Sequence, residues 1–216
     1  GPRALITEVR IEFKGDLAVD APERRARIES LRAAWPLRAG DPFRSPAWEE
    51  AKAALISSVS RDDYAAAVID ESKAEVDPVS ARVRLLVIVD SGPVFHYGNI
   101  VIKGLNRYDP KLVNNLAPFK AGDPYRRDQL QAFQTKLQNL AQFGSALVRV
   151  EPDVAAHQAA PVEVTLSETQ SQRISFGGGY SSNTGARGEI NYVNHNFLGR
   201  ALRFSSLLRL EQKRQS

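Results

Sequence analysis

One stretch of this sequence occurs twice, 82 positions apart. Residues 36–44 read PLRAGDPFR and residues 118–126 read PFKAGDPYR, with six identities and no gap. The apolar positions of the helix that follows repeat under the same shift. They pair Trp48 with Leu130, Ala51 with Phe133 and Leu55 with Leu137. A repeat that carries its own core pattern predicts two copies of one small domain, and 216 residues suffice for both.

Each copy shows the same predicted order of elements, β-α-α-β-β. Runs rich in β-branched residues predict the strands, and apolar residues three or four apart predict the helices. In the first copy the strands are expected at 9–13, 65–69 and 83–89, and the helices at 23–34 and 48–59. In the second copy the strands are expected at 100–102, 146–150 and 162–166, with one helix at 110–116 and another from 130. This last helix is predicted to end at Phe143-Gly144, since glycine accepts the left-handed conformation that closes a helix.

The repeated motif contains an Asp-Pro pair in each copy. Asp41 and Asp123 are predicted to cap the start of a helix or turn. Pro42 and Pro124 then take the first position, where no amide donor is needed. The alternative role, a carboxylate that acts as an acid or base, finds no second carboxylate or histidine in the motif. Capping is therefore favoured.

Composition gives no support to covalent or metal chemistry. The sequence contains no cysteine, which excludes disulfides, thiolate zinc sites and thiol nucleophiles. His96, His157 and His195 are far apart without metal-ligand spacing, so surface or interdomain packing is expected. The acidic pairs at 49–50 and 62–63 are expected to be solvated. We expect no catalytic residue, no metal, no cofactor and no enzymatic activity.

The chain changes character near residue 170. Residues 1–170 carry a net charge of −1 and residues 171–216 a net charge of +5. In the second segment polar residues alternate with apolar ones, as in a strand with different solvents on its two faces. Basic residues in such an alternation do not form a patch with stacking aromatics, so no nucleic-acid partner is expected. The glycines at 177–179 are attributed to close packing inside a strand.

Two interpretations of this alternation stay open. A soluble, half-buried sheet gives the same pattern. However, each run has the length of about ten residues that a tilted strand needs to cross a bilayer, which favours transmembrane strands. Only three strands fit into the segment, whereas single-chain barrels have at least about eight. Its strand edges are therefore expected to be exposed, with the segment disordered or paired with another chain.

Two stretches of the chain resemble a known family. Residues 91–104, SGPVFHYGNIVIKG, resemble the boundary between consecutive polypeptide-transport-associated (POTRA) domains of outer-membrane assembly proteins. Residues 116–123, LAPFKAGD, are similar to the helix entry of the last POTRA domain in the TamA-like translocation and assembly module family. The resemblance implies an α+β fold with two tandem POTRA domains, 4–91 and 92–169. Residues 170–216 would be the first strands of a truncated outer-membrane β-barrel.

The family also differs from this sequence. TamA-like proteins have three POTRA domains and a far longer barrel, so the sequence is expected to be a fragment. Two-partner secretion transporters and BamA-like proteins are the alternatives within the superfamily. The resemblance implies a place in the bacterial outer membrane, with the POTRA domains in the periplasm. It also implies a TamB-like partner anchored in the inner membrane, and outer-membrane lipid around the barrel.

Unfolded outer-membrane proteins, autotransporters among them, are the clients that the resemblance implies. They would add a strand to an exposed sheet edge, which by analogy with the family is the second strand of each copy. The docking positions predicted on that basis are Ala65, Ala66, Ala67, Val68, Ile69, Ala146, Leu147, Val148, Arg149 and Val150. A purely structural spacer between the barrel and its partner is the alternative function.

Overall fold

The structure is a computed structural model that describes residues 4–169, 172–181, 185–197 and 202–211. Within these ranges the strands form three separate three-stranded sheets. Two sheets belong to the two copies of the repeat and the third to the C-terminal segment. The predicted α+β class and the predicted order β-α-α-β-β in each copy are confirmed.

The first copy contains three strands and two helices. In chain order these are β1 Leu5–Lys14, α1 Pro22–Ala33, α2 Ser45–Val59, β2 Val68–Asp77 and β3 Arg82–Asp90. The central strand β3 pairs in parallel with β1 and antiparallel with β2. The order in the sheet is therefore β1-β3-β2.

The two helices pack with this sheet because their apolar stripes match its alternating strands. Pro46 lies in the first turn of α2, where its missing N–H costs no helical hydrogen bond. The predicted stripe on α2 is buried along its whole length. It joins alternate residues of β1 and β3 in one core. The core members are Ile6, Ile11, Leu17, Leu31, Trp35, Trp48, Ala51, Leu55, Val59, Tyr64, Val83, Leu85, Val87 and Val89.

The second copy repeats the order with shorter elements. These are β4 Tyr97–Lys103, α3 Lys111–Asn114, α4 Arg127–Gln138, β5 Phe143–Val150 and β6 Ala160–Glu168, with sheet order β4-β6-β5. The helix predicted at 110–116 is a single turn. The predicted helix end at Phe143-Gly144 is wrong, because α4 stops at Gln138. A turn in which the N–H of Phe143 donates to the Leu140 carbonyl at 3.1 Å then leads into β5.

The repeated motif forms the same turn in both copies. The Asp41 carboxylate accepts the N–H of Arg38 at 2.8 Å, and the Asp123 carboxylate accepts the N–H of Lys120 at 2.8 Å. The glycine before each aspartate has a φ of 97° or 92°, a left-handed conformation that favours glycine. Both aspartates therefore close turns. The helix-capping option is wrong, since α2 and α4 begin four residues further on.

The C-terminal segment forms an antiparallel sheet with the order β7-β8-β9. Its strands are β7 Gln172–Ser181, β8 Gly185–Phe197 and β9 Leu202–Glu211. The register places Phe176 opposite Ile190, and Ile190 opposite Leu208. Apolar residues of all three strands thus share one face, and Phe176 is 78 % exposed there. The pairing of this segment with another chain stays a prediction.

The opposite face of this third sheet is mainly polar, with Val193 and Leu207 as its apolar members. Arg209 lies opposite Glu189, with 3.2 Å between the guanidinium and carboxylate groups. The explanation of the glycine run by close packing is wrong. A Cβ added at Gly178 or Gly179 would meet no atom within 4 Å, and one added at Gly177 would make an ordinary contact of 3.6 Å with Cβ of Glu189.

By internal contacts the chain divides into two compact units. One comprises Gly1–Ile100, Pro118–Gln131 and Arg149–Val162, and the other Val101–Ala117, Ala132–Val148 and Glu163–Ser216. The domain limits 4–91, 92–169 and 170–216 stay a prediction. Within the described part of the chain, no helix is both long enough and apolar enough to span a membrane.

Candidate strand-addition edges

The predicted docking positions lie on or beside outer strands of the two sheets. Among the described strands, β2 pairs only with β3, and β5 pairs only with β6. The five positions predicted in the second copy, 146–150, belong to β5, whereas in the first copy only Val68 and Ile69 belong to β2. The residues that were wrongly assigned to a strand are Ala65, Ala66 and Ala67. They lie before β2 in a turn that is held by a hydrogen bond of 3.1 Å from the N–H of Ala67 to the carbonyl of Tyr64.

The other outer strands, β1 and β4, are partly covered by the repeated motif. The N–H of Ile6 donates to the Asp41 carbonyl at 2.9 Å, and the N–H of Gly40 donates to the Ile6 carbonyl at 2.8 Å. The equivalent bonds join Tyr97 to the motif of the second copy at 2.8 and 2.7 Å. The motif therefore occupies main-chain groups at the start of each first strand, one of the ways in which proteins protect a sheet edge.

One hydrogen bond shows which main-chain groups of β2 face the open edge. The N–H of Ser91 donates to the carbonyl of Lys14 at 3.1 Å, so Ser91 turns its main chain towards β1. Alternation along β3 turns Val87 the same way. Ser72 of β2 lies opposite Val87, and its N–H and C=O therefore point away from β3. The same alternation directs the main chain of Ala74 to the open edge.

These outward groups of β2 are not covered by neighbouring side chains. Within the described ranges, no side chain forms a hydrogen bond with the main chain of Ser72 or Ala74. Lys52 of α2 forms an ion pair with Glu49 at 2.9 Å, and its contact with Ser72 is to the hydroxyl, at the long distance of 3.4 Å. The middle of β2 therefore offers main-chain donors and acceptors to an incoming strand.

The edge of β5 differs, because side chains of α4 are bound to it. The N–H of Val148 donates to Oε1 of Gln134 at 2.9 Å. Nε2 of Gln138 donates to the carbonyl of Ala146 at 3.0 Å. Sequence reasoning missed both glutamines. The repeat contained a signal for them. The shift of 82 positions places Lys52 and Ile56 of α2 at the sites of Gln134 and Gln138, so the two copies differ in side-chain chemistry there.

The acidic pair at 62–63 is not solvated, which corrects the sequence-based expectation. The Asp63 carboxylate is 27 % exposed and lies 3.1 Å from the guanidinium of Arg27. The main-chain N–H of Asp63 donates to the carbonyl of Tyr125 at 2.9 Å, and the N–H of Arg127 donates to the carbonyl of Arg61 at 2.9 Å. These main-chain bonds join the end of α2 to the motif of the second copy. Asp63 also has a φ of 67°, which a residue other than glycine seldom adopts.

The histidines form no common cluster in the described structure. Nδ1 of His157 lies 2.9 Å from the carbonyl oxygen of Val94, and its ring packs edge-on against Phe95 with 6.3 Å between centroids. The side chain of His195 lies outside the described residues. In the part of the chain that the structure describes, no group of acidic and histidine side chains has the arrangement of a metal site.

Comparison with known proteins agrees with this geometry. Residues 95–169 match the family model named POTRA, described as surface antigen variable number repeat. The chain resembles BamA from Haemophilus ducreyi lacking POTRA domains 1–3. The TM-score is 0.69 at 16 % identity, over 96 % of this chain and 37 % of that chain.

Two further solved structures have similar folds. For POTRA3–5 of BamA from Haemophilus influenzae the TM-score is 0.60 at 17 % identity, over 78 % of this chain and 63 % of that chain. For POTRA1–2 of the periplasmic domain of Omp85 from Anabaena it is 0.52 at 15 % identity, over 78 % of this chain and 98 % of that chain. The fold is thus that of POTRA-type β-α-α-β-β units followed by an antiparallel sheet. The second copy is the part that matches the POTRA family model. The chain spans less than two thirds of either BamA chain.

Proposed function

We propose that this chain is part of an outer-membrane assembly or secretion factor of the Omp85 type, and that its two β-α-α-β-β copies bind extended client segments by strand addition. The function is binding without covalent chemistry. The observation that carries it is the edge of β2, where the main-chain groups of Ser72 and Ala74 face outward without a partner among the described residues.

Main-chain recognition suits a protein that handles many clients. Each main-chain hydrogen bond contributes a net of about 0.5 to 1.5 kcal/mol, whatever the side chain of the client. Several such bonds give binding that tolerates sequence variation and is weak enough to be reversed. The clients proposed on this basis are unfolded outer-membrane proteins, whose strands must stay extended before insertion.

The third sheet supports a place next to the membrane. Its apolar face includes Ile174, Phe176 and Tyr180 on one strand alone, all of them more than half exposed. Its polar face contains the Arg209–Glu189 pair. A sheet with one apolar and one polar face is the pattern of barrel strands between lipid and lumen. We propose that β7, β8 and β9 belong to such a barrel and that the two copies lie in the periplasm.

Within this class we propose the TamA-like member. The support is the similarity of residues 116–123 to the helix entry of the last POTRA domain in that family. The assignment implies a TamB-like partner anchored in the inner membrane and autotransporters among the clients. Co-purification of the full-length protein with such a partner tests it, and a full-length protein that binds no such partner contradicts it.

Strand addition is tested by removing one outward donor from β2. Ser72→Pro deletes the N–H that points to the open edge, a position where a strand tolerates proline. The probe is a fluorescent peptide with the sequence of β9, LRFSSLLRLE, titrated with the full chain. We expect Ser72→Pro to weaken binding about two- to tenfold, since one net hydrogen bond is lost.

Ser72→Ala is the matched control, because it removes the hydroxyl and keeps the main-chain N–H. We expect it to bind the peptide like the unchanged protein. Circular dichroism and thermal unfolding establish that both variants are folded. Equal affinity of the proline variant, the alanine variant and the unchanged protein would refute strand addition at β2.

A further inference from the structure

The two glutamines of α4 occupy the edge of β5 as a neighbouring strand would. Val148 has a single N–H, and that N–H donates to Gln134. Because β5 has a neighbouring strand only on the β6 side within the described ranges, the N–H of Val148, which bonds to Gln134 and not to β6, points to the free edge. The carbonyl of Ala146, two residues away, points the same way by alternation and accepts from Gln138. Gln134 as the acceptor and Gln138 as the donor lie one helical turn apart. They therefore satisfy the N–H of Val148 and the carbonyl of Ala146 on the strand.

The first copy has no such pair. Under the shift of 82 positions, Gln134 corresponds to Lys52 and Gln138 to Ile56. Ile56 has no hydrogen-bonding side chain. Lys52 is a donor only, and it lies 5.1 Å from the ring centroid of Trp48 with its nitrogen near the Ser72 hydroxyl. Two equivalent helix positions thus cover the edge in one copy and leave it open in the other.

We infer that the two edges are not equivalent as docking surfaces: β2 accepts an extended polypeptide strand directly, whereas β5 is closed by Gln134 and Gln138 and accepts a strand only after both glutamines are displaced. This inference rests on the proposed strand addition. It adds that the first copy binds a client before the second copy does, and that Gln134 and Gln138 control access to the edge of the second copy.

The physical reason is an exchange of hydrogen bonds. A strand that docks on β2 forms bonds with main-chain groups that have no protein partner among the described residues. A strand that docks on β5 must first break two existing bonds, so those two positions yield little net gain. Two net bonds correspond to a difference in affinity of about 5- to 150-fold. The open edge should therefore bind first, unless the glutamines are removed.

The first part of the test needs no client. In the double variant Gln134→Ala/Gln138→Ala the N–H of Val148 loses its acceptor, and alanine maintains helix α4. We expect amide hydrogen exchange of Val148, measured by NMR, to be about two- to tenfold faster. Lys136→Ala, an exposed position of the same helix, is the matched control and should leave the rate unchanged. An unchanged rate in the double variant would overturn the closure of β5.

The second part locates the docked strand. The protein contains no cysteine, so single cysteines can carry a photo-crosslinker. Val76 of β2 and Leu147 of β5 are matched positions, each 52 % exposed. With the LRFSSLLRLE peptide as probe, we expect cross-linking at Val76→Cys and at least about fivefold less at Leu147→Cys. The double glutamine variant should raise cross-linking at Leu147→Cys to the level seen at Val76→Cys.

The outcomes separate this inference from the proposed function. Equal cross-linking at both positions in the otherwise unchanged protein means that strands do dock but that the glutamines do not control the edge, which overturns the inference alone. Cross-linking at neither position overturns strand addition and the inference with it. Strong cross-linking at β5 with little at β2 would also overturn the inference, since it reverses the expected order.

Discussion

Replacement of Tyr97 by phenylalanine tests how the start of β4 is anchored. The Tyr97 hydroxyl donates to the carbonyl of Arg126 at 2.6 Å and accepts the N–H of Arg126 at 2.9 Å. The ring is 1 % exposed and stacks on Phe119 with 4.1 Å between centroids. Phenylalanine keeps the ring and this stacking, so no cavity forms. Only the two hydrogen bonds are lost.

The magnitude follows from those two bonds. At a net of about 0.5 to 1.5 kcal/mol each, Tyr97→Phe should lower the free energy of unfolding by about 1 to 3 kcal/mol at neutral pH. Urea unfolding followed by circular dichroism measures it. Tyr125→Phe is the matched control, since within the described residues the Tyr125 hydroxyl forms no hydrogen bond. We expect that variant to be close to the unchanged protein.

The pH dependence gives an independent check. Burial raises the pKa of Tyr97 from 10.0 to about 12 in the folded protein, although the hydrogen bond with the Arg126 main chain opposes the shift. The Tyr97 hydroxyl therefore ionises at lower pH in the unfolded chain than in the folded protein. Its contribution to the free energy of unfolding is complete below pH 10 and is lost as the pH rises towards 12. In that window the unchanged protein should lose up to about 1.4 kcal/mol per pH unit relative to Tyr97→Phe. A difference between the two proteins that stays constant from pH 9 to 11, or that equals the Tyr125→Phe effect, would refute this reasoning.

Two further predictions concern the second copy. Burial alone would raise the pKa of Glu168, but the hydrogen bonds donated by Arg107 and Asn106 outweigh it and hold that pKa below its ordinary value of 4.5. Glu168→Gln should lower the free energy of unfolding by about 1.5 to 3 kcal/mol at pH 7, and this loss should shrink as the pH falls below 4.5. Urea unfolding measures the loss, and an equal loss at pH 7 and pH 3 contradicts the prediction. Gly98→Ala would place a Cβ against the carbonyl of Ala159, 2.7 Å from its carbon, and should destabilise by about 1 to 3 kcal/mol in thermal unfolding. Gly178→Ala, with open space around it, is the control, and equal melting temperatures for the two variants would disprove the clash.

Local pattern was enough to predict most of the fold. The stripe that includes Trp48 and Leu55 predicted α2, and β-branched runs predicted the cores of β1, β3 and β6. Helix spacing and strand alternation depend on neighbours within a few residues, so they can be read in one dimension. The errors fell at element ends. Phe143 was assigned to a helix and begins β5, since α4 already ends at Gln138 and a turn at Leu140 leads into the strand.

The candidate site was predictable only in outline. Its placement on the second strand of each copy came from the family resemblance, and β2 and β5 are indeed outer strands. No pattern in the sequence predicts that the N–H of Asp63 donates to the carbonyl of Tyr125, and the repeat marks Gln134 as different from Lys52 without showing that it reaches Val148. Such contacts depend on how helices and strands pack. The residue type alone does not show whether an aspartate is solvated or forms structural contacts.

That one small α/β unit occurs twice and that a strand-rich segment follows it could be read from the order of residues, because repetition and periodicity are properties of that order. Which sheet edges are open depends on the folded molecule. That depends on the direction of each main-chain N–H and C=O relative to a neighbouring strand, and on whether a side chain such as Gln134 or Gln138 from a packed helix reaches it first. The two copies therefore share one fold and differ in the edge that they expose.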